Sequence, residues 1–158
     1  MEQRKIVEAM LDYIFGLGVG KALKDREVSV EYSKKTGRMK HIYVDGKLLA
    51  TLRPDGGLAL TLYGAQMLLR SKTFKENCVT VSREAEEYIR LGKSVFAKHV
   101  RKVGKRVRPS SEVAILSVEG KLLAVGRAVL SAKMMKSFDL GVAVKVRASV
   151  GAEQTGNA

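Results

Sequence analysis

Between Lys93 and Arg108 the chain places seven cations, Lys93, Lys98, Arg101, Lys102, Lys105, Arg106 and Arg108, with no Asp or Glu among them. Side chains of this type neutralise phosphates, lysine as a compact charge and arginine as a planar fork. A mixed-sign segment would read as a solvated loop. Clustered like charge, by contrast, is destabilising unless a partner neutralises it, so this stretch reads as a polyanion-binding surface. Apolar residues run through it. Val95, Ala97 and His99 share one strand parity and Phe96, Lys98 and Val100 the other, before the pattern loosens into a basic loop around Gly104.

Other candidate chemistry is weaker. Gly92-Lys93-Ser94 looks like the end of a phosphate-binding loop, but the glycine that such a loop needs five residues earlier is Glu87, inside a helical pattern. "GLGVGKAL" from Gly16 resembles a dinucleotide loop, yet no strand precedes it and Lys21 stands where the third glycine belongs. It reads as a helix exit whose small residues allow close packing. One cysteine, Cys78, and two histidines, His41 and His99, do not make an ordinary closed zinc site or suggest a catalytic triad. Cys78 reads as a small apolar residue at a strand start, the histidines as structural or as minor phosphate contacts. No carboxylate pair stands out for acid–base work. The expectation is no catalytic residue, no metal and no cofactor.

The whole chain agrees with a polyanion partner. It has 158 residues and a formal net charge of +13. Residues 1–77 hold 14 basic and 9 acidic side chains (+5) and residues 78–158 hold 15 and 7 (+8), so the second half is the stronger candidate face. An apolar fraction of 46% suits a globular protein with a real core. No apolar run is long enough to span a bilayer, and the polar start lacks the order of a signal peptide, so a cytoplasmic protein without a membrane partner is expected.

The elements that must position the cations follow from periodicity. Ile6, Val7, Met10, Leu11, Ile14 and Phe15 recur at helical spacing and Gly16 closes the helix. From Val28 to Leu62 the period becomes two, with turns at "KKTGR", Asp45-Gly46 and "RPDGG", which predicts a four-stranded antiparallel meander. A short helix over 63–69 and a connector over 70–77 lead to a second unit. There "CVTVS" is a strand, Ser82 can cap the helix "REAEEYIRL", and Gly92 can stop it. Strands over 113–118, 122–129 and 141–147 follow, with a short helix "SAKMMKSF" before the last. This predicts an α+β unit over 1–77, a β-rich unit over 78–149 and a disordered tail over 150–158.

Residues 78–148 resemble a PUA domain, an RNA-binding module. The resemblance is carried by "LGKSVFAKHV", "RPSSEVAILSVEGKLLAVGRAVLSAKMM" and "GVAVKVR". It departs at Ser110-Ser111, where the family often has Gly-Asp after the proline. Upstream, "LDYIFGLGVGKAL", "SKKTGRMKHIYVDG" and "TLRPDGGLALTL" are similar to the domain that precedes PUA in archaeal tRNA-guanine transglycosylases. The resemblance implies an N-terminal α+β unit packed on a C-terminal PUA-like mixed β pseudo-barrel. It implies structured RNA, such as tRNA, as partner. Those transglycosylases carry a large barrel with catalytic aspartates and a zinc site, for which this chain has neither length nor cysteines. The expectation is a non-catalytic RNA binder or, alternatively, the RNA-binding subunit of a split enzyme whose catalytic chain is separate. In the family the glycine ending the first PUA helix brings backbone close to nucleic acid, which carries over to Gly92, Lys93, Ser94 and Lys98. Arg101, Lys102, Lys105 and Arg106 are added on charge alone, with Arg38 in the "SKKTGRMK" hairpin as the alternative site. Phe96 is expected in the core, which leaves base stacking secondary to backbone recognition.

Overall fold

The computed structural model describes residues 2–151, and the chain divides into two compact units, 1–75 and 76–158. The tail expected over 150–158 falls, beyond Gly151, outside the described residues.

In the first unit, helix α1 (Glu2–Phe15) buries Val7, Leu11 and Phe15, one line of residues four apart. Ile6 stays 51% exposed. The spacing contains two adjacent apolar lines, and only the 7, 11, 15 line faces the core. After α1 the "GLGVGKAL" segment folds into a 3-10 turn, Val19–Leu23. A Cβ on Gly20 would lie 2.4 Å from the Glu8 carbonyl oxygen, and the Gly20 N–H donates to Asp12 Oδ1 at 2.7 Å. Gly20 thus serves close packing on α1, whereas Gly18, at φ 98° with nothing within 4 Å, serves the turn. Strands β1 (Val28–Tyr32), β2 (Met39–Val44), β3 (Lys47–Leu52) and β4 (Leu58–Leu60) form the meander in the order β1-β2-β3-β4, all antiparallel. Helix α2 (Leu62–Leu68) closes it, with Thr61 Oγ1 accepting from the Gly64 N–H at 2.9 Å.

The second unit is a six-stranded sheet curled into a nearly closed barrel. Its strands are β5 (Cys78–Val81), β6 (Val95–Phe96), β7 (Val100–Val103), β8 (Glu112–Leu116), β9 (Leu122–Ala128) and β10 (Val142–Ser149). The order is β6-β10-β9-β8-β5-β7, antiparallel except for β5 with β8. The two edge strands, β6 and β7, are consecutive in sequence and joined only by a 3-10 turn, Ala97–His99. The edges of the sheet are therefore held together by three residues, which is how the barrel nearly closes. Val79, Val81, Val95, Val113, Ile115 and Leu123 are buried in its core. Helix α3 (Arg83–Arg90) adds Ala85 and Ile89 to that core, and α4 (Ala132–Ser137) adds Met135.

Two expectations are corrected here. Ser82 occupies the N-cap position of α3 but its hydroxyl makes no cap bond; it is buried and lies 3.2 Å from His99 Nδ1. Phe96 is not core but 46% exposed. Its neighbours Val95 and Ala97 point inward, so strand alternation turns Phe96 outward.

Candidate nucleic-acid interface

The site begins at the end of α3. The Gly92 N–H donates to the Ile89 carbonyl at 2.9 Å and the Lys93 N–H to the Tyr88 carbonyl at 3.0 Å, the paired bonds of a Schellman stop. Gly92 takes φ 90°. A Cβ there would meet only Ser149 Oγ, at 3.8 Å, so the backbone angle rather than lack of space calls for glycine. Ser149 Oγ donates to the Arg90 carbonyl at 2.8 Å, fastening the end of β10 to the end of α3.

From that stop the chain enters β6, and burial alternates from Val95 to Lys98. Lys93 is exposed and Ser94 half-buried, Val95 is buried, Phe96 faces out, Ala97 is buried and Lys98 faces out. The 3-10 turn is clamped to the start of α3, since the Ser82 N–H donates to the His99 carbonyl at 2.9 Å beside the contact of Ser82 Oγ with the imidazole. On the other side the Ala97 N–H donates to the Gly141 carbonyl at 2.9 Å. His99 thus has a packing role.

Between α3 and β6 lies an open groove of about 650 Å³, lined by Tyr88, Lys93, Ser94, Phe96, Lys98 and His99 among others. Tyr88 is 61% exposed. Two aromatic faces, two lysines and a glycine-stopped helix end therefore share one concave surface. Glu84 is its acid. An arrangement of this kind offers stacking surface and phosphate-neutralising charge side by side.

The remaining cations separate by environment. Arg101 and Lys102 are exposed on edge strand β7, and Arg101 Nη1 donates to the Lys98 carbonyl at 3.2 Å. Lys105 is not alone: its Nζ lies 3.6 Å from Glu76 Oε2. Arg106 is half-buried, with its backbone N–H donating to the Glu76 carbonyl at 3.0 Å. Glu76 was invisible in the run of cations because it reaches them from the other end of β5. Arg108 is exposed in the turn before β8. Arg38 belongs to the first unit, at the β1–β2 hairpin, where its carbonyl accepts from the Ser33 N–H at 2.7 Å.

Other titratable groups have structural partners. Glu112, 4% exposed, is gripped by both guanidinium nitrogens of Arg147. His41 bonds Glu31, and that bond, with the surrounding positive charge, holds the Glu31 carboxyl below its ordinary value. Cys78 is buried at the start of β5. Among the described residues no group of three or more His, Cys, Asp or Glu could hold a metal, and no helix is long and apolar enough to cross a membrane.

Residues 5–75 match the patch-forming domain C2 of tRNA-guanine transglycosylase, and residues 77–150 match the PUA domain. Nearly all of the chain is thus accounted for by two matches in tandem, a C2 domain followed by a PUA domain. It is 43% identical over 150 residues to the tRNA-guanine(15) transglycosylase of Thermococcus kodakarensis, a span of 94% of this chain and 26% of that protein. With the enzyme of the same name from Methanobrevibacter smithii it shares 42% identity over 145 residues, 90% of this chain and 22% of that one. The chain thus spans about a quarter of the length of these curated relatives. The crystal structure of a hypothetical protein from Pyrococcus horikoshii superimposes with a TM-score of 0.72 at 26% identity, covering 94% of this chain and 90% of that one. A conserved PUA domain protein from Thermoplasma acidophilum shares the fold, with a TM-score of 0.66 at 23% identity over 99% of this chain and 93% of that one. Of the residues expected to act together, Lys93, Ser94 and Lys98 line the α3–β6 groove, whereas Gly92 ends the helix just before Lys93 and is not part of the lining. The sequence reading missed Tyr88 and the exposure of Phe96. The signal for Phe96 was present, because alternation already set it on the parity of Lys98.

Proposed function

We propose that this chain is a non-catalytic RNA-binding protein that takes structured RNA, tRNA above all, on its PUA domain in the service of RNA modification. The observation that carries the reading is the convergence of Lys93, Ser94 and Lys98, directly after the helix stop at Gly92, on one groove that also exposes Tyr88 and Phe96. Lys98, Arg101 and Lys102 neutralise backbone phosphates while the helix stop at Gly92 lets the backbone approach closely. The two aromatic side chains hold an unpaired base adjoining the duplex. Lys105 and Arg106 contribute less, since Glu76 answers part of their charge. Residues 1–77 act as the accompanying domain and 78–149 as the RNA-binding domain. Support for this division is the break between compact units after residue 75 and the PUA match beginning at residue 77.

A second reading has its own support. Its similarity to the tRNA-guanine(15) transglycosylases supports, as the alternative, the RNA-binding subunit of such an enzyme whose catalytic chain is separate. Titration of labelled tRNA with purified protein tests RNA binding directly, and absence of binding at low salt would overturn it. Affinity purification from native cells then separates the two readings. A stoichiometric transglycosylase-like chain supports the subunit, and tRNA alone supports the free-standing binder.

A further inference from the structure

A second, smaller hollow of about 270 Å³, which shares Lys98 with the aromatic groove, lies between β7 and α4. Lys98, Arg101, Lys102 and Lys136 line it, with Phe138 and Asp139 also at its walls. Buried Ala97 and Met135 are also among its lining residues, while most of its exposed lining is polar. All four cations are exposed, and among the described residues none of them is in a salt bridge. Lys105, by contrast, is answered by Glu76. Against Asp139 alone the hollow keeps a net charge of +3, counted as four cations less one carboxylate. Arg101 is oriented there by its bond to the Lys98 carbonyl.

We propose that this hollow binds the 5′-terminal monophosphate of the RNA. The inference rests on the RNA-binding reading above and adds a ligand group to it. Internal phosphates of a duplex are diesters with one charge each, displayed on a convex ridge, and they are met by cations on an open surface. A terminal phosphate carries about −1.5 to −2 charge at neutral pH and three acceptor oxygens, and it can enter a recess end-on. Cations arriving from two elements, the β7 edge and α4, can surround such a group, while a flat strand edge cannot. Phe138, 46% exposed, offers an apolar face for the terminal nucleoside to which the phosphate is attached. Lys98 lines both recesses, so one RNA can place its end in the hollow and adjoining nucleotides in the groove.

The test compares one RNA hairpin with a single-stranded 3′ extension in two forms, 5′-hydroxyl and 5′-monophosphate, titrated against the full chain at fixed salt. The wild type is expected to bind the phosphorylated form about five- to tenfold more tightly, the size of one additional net hydrogen bond at an exposed site. Lys136→Ala is expected to bring that ratio to within about twofold. Lys136→Arg, which keeps the charge, should retain most of it. Equal affinity for both forms in the wild type, or a ratio unchanged in Lys136→Ala, overturns the terminal-phosphate site and leaves RNA binding standing. Failure to bind either form overturns the RNA reading and this inference together. Circular dichroism of each variant separates loss of the site from loss of the fold.

Discussion

At the scale of single residues, three positions have consequences that can be measured separately. Gly92 sits at φ 90° with open space around its Cα, so Gly92→Ala charges a backbone cost of about 1–2 kcal/mol without an internal clash. Thermal melting should show that loss, and an unchanged melting temperature would refute the strain argument. Ser110 takes φ 74° in the turn before β8, a backbone angle that favours glycine, while Ser111 Oγ accepts from the Arg108 N–H at 3.0 Å. Ser110→Gly is therefore expected to raise stability by about 1 kcal/mol, read as a higher denaturant midpoint. Tyr88 and Phe96 are exposed rather than packed, so removing either ring should leave the fold intact. Each substitution to alanine is expected to weaken RNA with an unpaired end by about 1–3 kcal/mol and to affect blunt duplex far less. Equal losses on both RNAs would assign the aromatics a role other than stacking.

At the scale of elements, the decisive feature is how one basic stretch is cut in two. Sequence alternation over 95–100 identified a strand, and Asp45-Gly46, "RPDGG" and Gly92 marked their turns and helix stop, because those signals are local. The 3-10 turn at Ala97–His99 was not legible. It exists because β6 pairs with β10 and β7 with β5, partners far away along the chain. Ser82 illustrates the same limit. Its residue type suits a helix cap, but the fold brings His99 to it, and the hydroxyl joins the turn instead of the helix. Glu76 likewise reaches Lys105 only through pairing of β5 with β7. This yields a contrast between neighbours of identical charge. Lys102→Ala should lessen the slope of log affinity against log salt by about one, whereas Lys105→Ala, freeing a carboxylate as it removes a cation, should change the slope less. Indistinguishable slopes would mean that the Glu76 pair opens when RNA binds.

For the whole molecule, charge, fold and family point to one central claim, that the PUA domain is a polyanion-binding surface centred on Lys98. The purified chain is expected to give no guanine exchange into tRNA, and turnover would show a catalytic site that no side-chain cluster among the described residues suggests. The claim itself is tested most directly by the salt dependence of tRNA affinity for the wild type and for Lys98→Ala/Arg101→Ala, with folding followed by circular dichroism. With about four to five phosphates neutralised, the wild-type slope of log affinity against log salt should be roughly −3 to −4. The double variant should remain folded, bind more weakly at every salt concentration, and lose about two from that slope. Unchanged affinity and slope in the folded double variant would contradict the account and move the RNA site elsewhere, with the hairpin around Arg38 as the next candidate.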